Sequence, residues 1–306
     1  MEGAVVGEPA FKNRSASHWI EQLPYLGVGL GFRRPLARQI FDHSEEIDFL
    51  EIISEHYIAP TPFDSSELHQ LARRFPLIPH GLSLSVGAAE PVEEDYLRHL
   101  ARLVSRIGAP WWSDHLAMTR AGRIDIGHLA PIQQSEKMIA VVCENIARAK
   151  SRVAAPFIIE NIAYTLRLPG AQMSEAEFLS QVVERTDCGL LLDLMNLHAN
   201  SRNHGYDAYE FLSAIPLERV VQVHIIGGHY SDGVLIDSHS QYTPEEVWKM
   251  LEFVAHRAKI KAVLLEWDDL FPDFKVILDD LRRACEIIDE SKNSLAERDL
   301  TEGALK

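Results

Sequence analysis

Short unbroken apolar runs alternate with longer amphipathic stretches along almost the whole chain. The runs fall at 26–31 (LGVGLG), 47–53 (IDFLEII), 77–82 (LIPHGL), 110–116 (PWWSDHL), 156–161 (PFIIEN), 189–195 (GLLLDLM), 219–226 (RVVQVHII) and 261–267 (KAVLLEW). They are rich in Val, Ile and Leu and lack strict polar alternation, the signature of parallel strands buried on both faces. Helical periodicity occupies 34–43, 65–75, 92–107, 134–152, 174–186, 206–214, 243–258 and 273–289. Thr243-Pro244-Glu245-Glu246 reads as a helix start with Thr at the N-cap and Pro first in the helix. Ser174-Glu175-Ala176-Glu177 reads as a capping box. Eight β units, each followed by α, predict an α/β fold: a single closed (β/α)₈ TIM barrel over 25–290. Residues 1–24 are expected to be an N-terminal extension and 291–306 a polar, frayed tail.

Composition narrows the function classes. At 306 residues with 46% hydrophobic content, the chain is long enough to bury one large core. No apolar run reaches the ~20 residues that span a bilayer, and the start MEGAVVGEPAFKNR lacks the pattern of a signal peptide. Cys143, Cys188 and Cys285 form no CxxC pair, which argues against a disulfide scaffold or a zinc–thiolate site and fits a reducing cytoplasm. The formal charge of −15, with no Lys/Arg run longer than two, disfavours nucleic acid as a partner. No membrane partner is expected either.

The chemistry lies at the ends of the runs. LIPHG ends on His80, WWSDHL on Asp114 and His115, FIIEN on Glu160, LLLDLMN on Asp193 and Asn196, VVQVHII on His224, VLLEWD on Glu266. A later DSH adds Asp237 and His239. Taken singly, a strand-end histidine is more often a hydrogen-bonded rim residue, and a strand-end acid more often pairs with an arginine. A barrel, however, brings all its strand C-termini to one mouth. Several buried carboxylates in one place repel each other, and cations are the natural compensation. Imidazole and carboxylate without thiolate suit Fe, Mn or Zn. So many ligands exceed one ion's needs and imply two or three, with Glu160, midway round the rim, as the best bridge. GVGLGF approaches a dinucleotide fingerprint but carries Phe32 where the third glycine belongs, so it reads as a first barrel strand. Asn13-Arg14-Ser15 is a formal glycosylation sequon of no consequence in a cytoplasmic protein.

The order His, His, Glu, Asp, His, Glu over the third to eighth strands, with Asp-x-His after the seventh, resembles endonuclease-IV-like and xylose-isomerase-like barrels. More specifically, GVGLGFR, DFLEIISEHY, PLIPHGLSLSVG, WWSDHLA, FIIENI, GLLLDLMN, NHGYD, VVQVHIIGGH, LIDSHS and LLEWD resemble the multinuclear non-heme iron-dependent oxidative enzymes, formerly domain of unknown function 692. The likeness covers roughly 25–290. It implies two or three irons of mixed ferrous and ferric state, with O₂ as co-substrate. His80, His115 and Glu160 would hold one iron, and Glu160, Asp193, His224 and Glu266 a second. Asn196, Asp237 and His239 would hold a third. Glu160, Asp114 and His56 are the candidate catalytic groups. His56 in SEHY and His198 after LMNL depart from the family pattern; with His229 they are candidates for extra ligands or substrate contacts. The substrate implied is a cysteine-containing, ribosomally made precursor peptide. A separate partner protein would capture its leader. The rival readings are a three-zinc apurinic-site endonuclease, where metal-bound hydroxide attacks phosphate, and a sugar isomerase. The acidic charge and the lack of a strand-end lysine, respectively, count against them. A binding module with a structural metal is a further alternative, disfavoured because such sites are closed and use few ligands.

Overall fold

The computed structural model describes residues 18–303 except 123, with side chains described as far as 292. The N-terminal 17 residues, including the sequon, lie outside the described part.

The described residues open with helix α1 (His18–Gln22) and strand β1 (Gly27–Gly31), then run through α2 (Ala37–Asp42), β2 (Leu50–Ile53), α3 (Glu55–Ile58) and α4 (Pro62–Arg74). It continues with β3 (Leu77–Gly81), α5 (Glu94–Ile107), β4 (Trp112–His115), the hairpin β5 (Met118–Ala121) and β6 (Ile124–Ala130), and α6 (Glu136–Arg152). Next come β7 (Phe157–Glu160), α7 (Glu175–Thr186), β8 (Gly189–Asp193), α8 (Leu194–His204) and α9 (Ala208–Ala214). β9 (Val220–Ile225), the hairpin β10 (Gly227–Ser231) and β11 (Val234–Gln241), α10 (Glu245–Ala255), β12 (Ala262–Leu265) and α11 (Phe274–Gly303) complete it. Strands β1, β2, β3, β4, β7, β8, β9 and β12 close into an all-parallel barrel in which β1 pairs with β12. All eight predicted strands are present, each trimmed by a residue or more.

The alternation of side chains along a strand organises the interior. Ile78, Ile158, Leu191 and Leu264 point into a buried apolar cluster with Trp111 and Phe49. Two residues further on, the same face carries His80, Glu160, Asp193 and Glu266. The lower interior is therefore apolar and the upper interior is polar. Helix α1 plugs the bottom, its buried Ile20 packed in the apolar cluster with Trp19 and Leu23 alongside. Gly29 of β1 fits this interior for a steric reason: a Cβ there would sit 2.5 Å from the Phe49 ring.

Helix starts follow the local sequence. Ser174 and Glu177 form the expected capping box of α7. Thr61 and Asp64 form another on α4, ahead of the helix predicted from 65. α10 differs from expectation: Pro244, not Thr243, is its N-cap. α11 runs on to Gly303, through the segment expected to fray. Helix α8 and both hairpins were not predicted. α8 escapes periodicity because its residues are buried on nearly every side, from Leu194 to Ser201 with His198 excepted.

Candidate metal centre

The upper polar layer is one compact site. Glu160, at the end of β7, stands at its middle. Its Oε2 lies 3.3 Å from His80 Nε2 and 3.2 Å from His115 Nε2, while its Oε1 lies 3.5 Å from His224 Nδ1. His224 Nδ1 is also 2.9 Å from Glu266 Oε2 and 4.0 Å from Asp193 Oδ2. Two ligand groups result, His80–His115–Glu160 and Glu160–Asp193–His224–Glu266, and every residue in them is buried. In each group the ligand atoms lie within 4.8 Å of one another, and Glu160 belongs to both.

The third group differs in part from the one the resemblance implies. His239, Glu266 and Asp268 come together within that same 4.8 Å. His239 and Asp237 arrive on β11, where His239 adopts a left-handed φ of 49°. Non-glycine residues adopt that conformation uncommonly. His239 Nε2 is 2.7 Å from Asp237 Oδ2, and its Nδ1 is 3.0 Å from Asp268 Oδ2. Asn196 enters differently. Asp193 caps α8 by accepting from the Asn196 backbone N–H at 2.6 Å. The Asn196 side chain donates to the Asn161 carbonyl, leaving its Oδ1 buried without a partner.

Each histidine offers one ring nitrogen to the centre and has the other fixed. His80 Nδ1 meets Ser113 Oγ at 2.7 Å, His115 Nδ1 the Gly81 carbonyl at 3.1 Å, and His224 Nε2 the Glu51 carboxylate at 3.2 Å. Such outer contacts fix the tautomer and aim the free nitrogen, as they do for metal-bound histidines. Gln222 braces Glu51 with a 2.6 Å hydrogen bond and itself accepts from Trp111 Nε1 at 2.8 Å.

The polar atoms facing the centre are not satisfied by one another. Glu160 Oε2, Asp193 Oδ2, Asn196 Oδ1 and Asp237 Oδ1 are buried with no hydrogen-bond partner. His224 Nδ1 also lacks one, although Glu266 is close. Orphaned buried groups cost about 1–3 kcal/mol each as a rule, and here they share one spot. The titrations reflect the crowding. Burial, with Asp237 and Glu160 nearby, pushes Asp193 well above the usual carboxyl range. Burial also raises Asp237. Glu160 is held below its ordinary value, because His115, His224 and His80 outweigh its burial. Glu266 is held well below, because His239, His224 and Arg33 outweigh its burial. His224 is raised well above the usual imidazole value, since Glu51, Glu266 and Glu160 overcome burial. Burial lowers His115 to about 4, so it stays neutral and able to donate its lone pair. Nitrogen and oxygen donors, unpaired and short of positive charge, fit a hard or borderline cation such as iron, manganese or zinc.

Not every expected residue joins. Asp114 is one step out of phase with Ser113 and His115, so β4 turns it to the outer face. There it accepts from the backbone N–H groups of His115 at 2.7 Å and Leu84 at 3.2 Å, near Tyr96. Gly81 makes room: a Cβ there would lie 2.3 Å from Asp114 Oδ2. His56 is exposed on α3, with its ring against Tyr57. His229 is exposed on β10, and His198 is half-buried on α8. None of these four stands in a ligand group among the described residues. Sequence reasoning passed over Glu51, Ser113, Asn161, Arg33 and Asp268. Glu51 was visible as the one charge inside FLEII. Asp268 lay two residues beyond Glu266, and Arg33 reaches both acids, donating to Asp268 and lying 3.4 Å from Glu266 Oε1.

The model of the RiPP precursor modification enzyme MbnB/TglH/ChrH family matches residues 27–289. The chain belongs to this family. Its relatives include UPF0276 proteins from Caulobacter vibrioides, 37% identical over 259 residues, covering 84% of this chain and 92% of that one. Another, from Anaeromyxobacter sp., is 34% identical over 265 residues, covering 86% and 93%. Among solved structures, endonuclease IV from Thermus thermophilus superposes with a TM-score of 0.54 at 18% identity, covering 85% of this chain and 99% of that one. A D-tagatose 3-epimerase-like protein gives 0.54 at 16% identity, covering 86% and 98%. These likenesses establish the TIM-barrel fold shared with xylose-isomerase-like and endonuclease IV enzymes. The family and the barrel together mark the chain as an enzyme. Among the described residues, no helix is long and apolar enough to cross a membrane.

Proposed function

We propose that this chain is a multinuclear non-heme iron, O₂-dependent oxidase that modifies cysteine residues of a ribosomally synthesised precursor peptide. The observation that carries the reading is Glu160 standing between two buried ligand groups whose histidines are fixed by outer partners. A carboxylate in that position suits a pair of metals sharing it. Bound iron would supply the one-electron oxidation of a thiol and the reduction of O₂.

The protein's own contribution is to hold and shield. His80, His115 and Glu160 form the first holder, and Glu160, Asp193, His224 and Glu266 the second. For the third holder we favour Asn196, Asp237 and His239 through Nε2. Asp268 on Nδ1 then fixes His239 as Glu51 fixes His224, and the unpartnered oxygens of Asn196 and Asp237 support this. The buried walls keep water from the site. The hairpins β5–β6 and β10–β11 rise from loops on the same rim and give an extended peptide edges to lie along. The unpaired cysteines fit a cytoplasmic setting, and a separate leader-binding protein completes the system.

The test is aerobic incubation of iron-loaded enzyme with its cognate peptide and partner, read by mass. A mass change on a cysteine, lost in Glu160→Ala together with iron, is the expected result. No mass change with wild type, and normal iron in Glu160→Ala, would end the proposal. A coloured ferric or thiolate band in the metal-loaded protein is expected; colourless, zinc-loaded active protein points to a hydrolase instead.

A further inference from the structure

A concavity separate from the metal ligands opens beside the loop that follows β7. It is a cavity of 380 Å³ between the loop after β7, the start of α7 and helix α9. Leu168, Ala171, Met173, Phe211 and Ala214 give it apolar walls. The Glu175 carboxyl also lines it, accepting hydrogen bonds from Tyr164 at 2.8 Å and Tyr206 at 3.3 Å. Ligand sites of this size commonly pair apolar walls with a few convergent polar groups.

The charges choose the ligand. Four charged residues line the cavity: Glu175, Asp207, Glu210 and Arg167. Three acids face one guanidinium, Arg167, which lies over the Tyr206 ring, 5.9 Å from its centroid, and whose charge also reaches Glu175. Asp207 Oδ1 is already spent on capping α9, through Tyr209 and Glu210 N–H. Glu175 is the acid that faces inward. Burial raises it to about 7, against the hydrogen bonds of Tyr164 and Tyr206 and the charge of Arg167.

We propose that this cavity is a binding subsite for a primary ammonium or guanidinium group on an apolar stem, the chemistry of a lysine or arginine side chain. The stem lies along Leu168, Met173 and Phe211, and the cationic head reaches Glu175. That the side chain belongs to the peptide substrate rests on the reading of the previous subsection; the cation preference does not. The position supports the link. The loop that carries Tyr164 begins at Asn161, which holds Asp193 through hydrogen bonds of 2.9 and 3.0 Å. Asn200 ties that loop to α8 by accepting from Tyr164 N–H at 3.0 Å.

The experiment titrates the metal-loaded protein with n-hexylammonium, 1-hexanol and hexanoate, followed by calorimetry. Hexylammonium should bind about tenfold or more tightly than hexanol, the scale of a hydrogen bond to a charged group. Glu175→Gln should reduce that preference to about twofold while metal content and melting temperature hold. Ala171→Trp, at an exposed wall position, should abolish binding of both. Equal binding of hexanol and hexylammonium, tighter hexanoate, or an unchanged preference in Glu175→Gln would overturn the proposal. The peptide arm is separate: replacing the peptide's basic residues by norleucine should raise KM about tenfold in wild type and little in Glu175→Gln. If the ligands bind as expected but no peptide is modified, the oxidase reading fails and the subsite stands.

Discussion

Glu51 is the most informative residue to change, because it holds a ligand without standing in either ligand group. Its carboxylate holds His224 Nε2 at 3.2 Å and takes a 2.6 Å hydrogen bond from Gln222. It is also the largest influence raising His224 against burial, and it raises His80 as well, though only His224 is hydrogen-bonded to it. Glu51→Gln keeps the shape and removes the charge. His224 Nδ1 would then be a weaker donor and a less firmly aimed one. Loss of such an outer partner costs about 10- to 100-fold in metal affinity, or about 1.4–2.7 kcal/mol. The loss should fall on the group containing His224, while His80 and His115 keep their anchors on Ser113 and Gly81. Competition with a graded chelator, read as stoichiometry against chelator strength, separates the two. One ion leaving early while the other persists is the expected pattern. Unchanged affinity, or equal loss of both ions, would refute the reasoning that each histidine is tuned by its own outer partner.

Asp114→Asn should leave metal content unchanged, since Asp114 lies on the outer face of β4; loss of metal would contradict that placement. Burial, then Glu55, raises Asp114 to about 8; both its oxygens accept from backbone N–H groups, so the amide NH2 would face a donor and the melting temperature should fall while metal content holds. Glu175, raised by burial to about 7 from 4.5, keeps its proton in the folded state where the unfolded chain has lost it. The contribution of Glu175 to stability should therefore fall as pH rises from about 4.5 to 7, by roughly 3 kcal/mol, and level off above. Glu175→Gln should flatten that slope in denaturant titrations across pH 5–8; a slope as steep as wild type would exclude Glu175 as its source. Ile20→Ala, at the plug beneath the barrel, should cost about 2–4 kcal/mol in urea unfolding while metal stoichiometry holds; loss of metal would mean the bottom and top of the barrel are not independent.

The barrel was readable because its strands are buried on both faces and its helices on one, so run length and period separate them. The strand-end ligands were readable for a related reason: a charge terminating an apolar run is conspicuous. The outer partners were not. Ser113 is neutral, the Gly81 carbonyl carries no side-chain signal, and Glu51 is one polar letter inside a strand. Their meaning depends on which strand lies beside which. Asp114 shows the opposite error. It shares a strand end with His115, yet a period of two puts neighbours on opposite faces. Asp268 and Arg33 meet across the seam that joins the first and last strands, a contact only closure creates. Helix α8 was hidden by burial, which erases the polar stripe that marks a surface helix.

His80, His115, Glu160, Asp193, His224 and Glu266 are dispersed along the chain, each at the end of a different barrel strand. The first group is gathered by the neighbouring strands β3, β4 and β7, and the second by β7, β8, β9 and β12. Side by side without ions, these acids and imidazoles are forced together, bare of water. Ions bound there would act as clasps, each across three or four adjacent staves, with β7 gripped by both through Glu160. The same atoms that equip the mouth for chemistry would hold that arc of the barrel together.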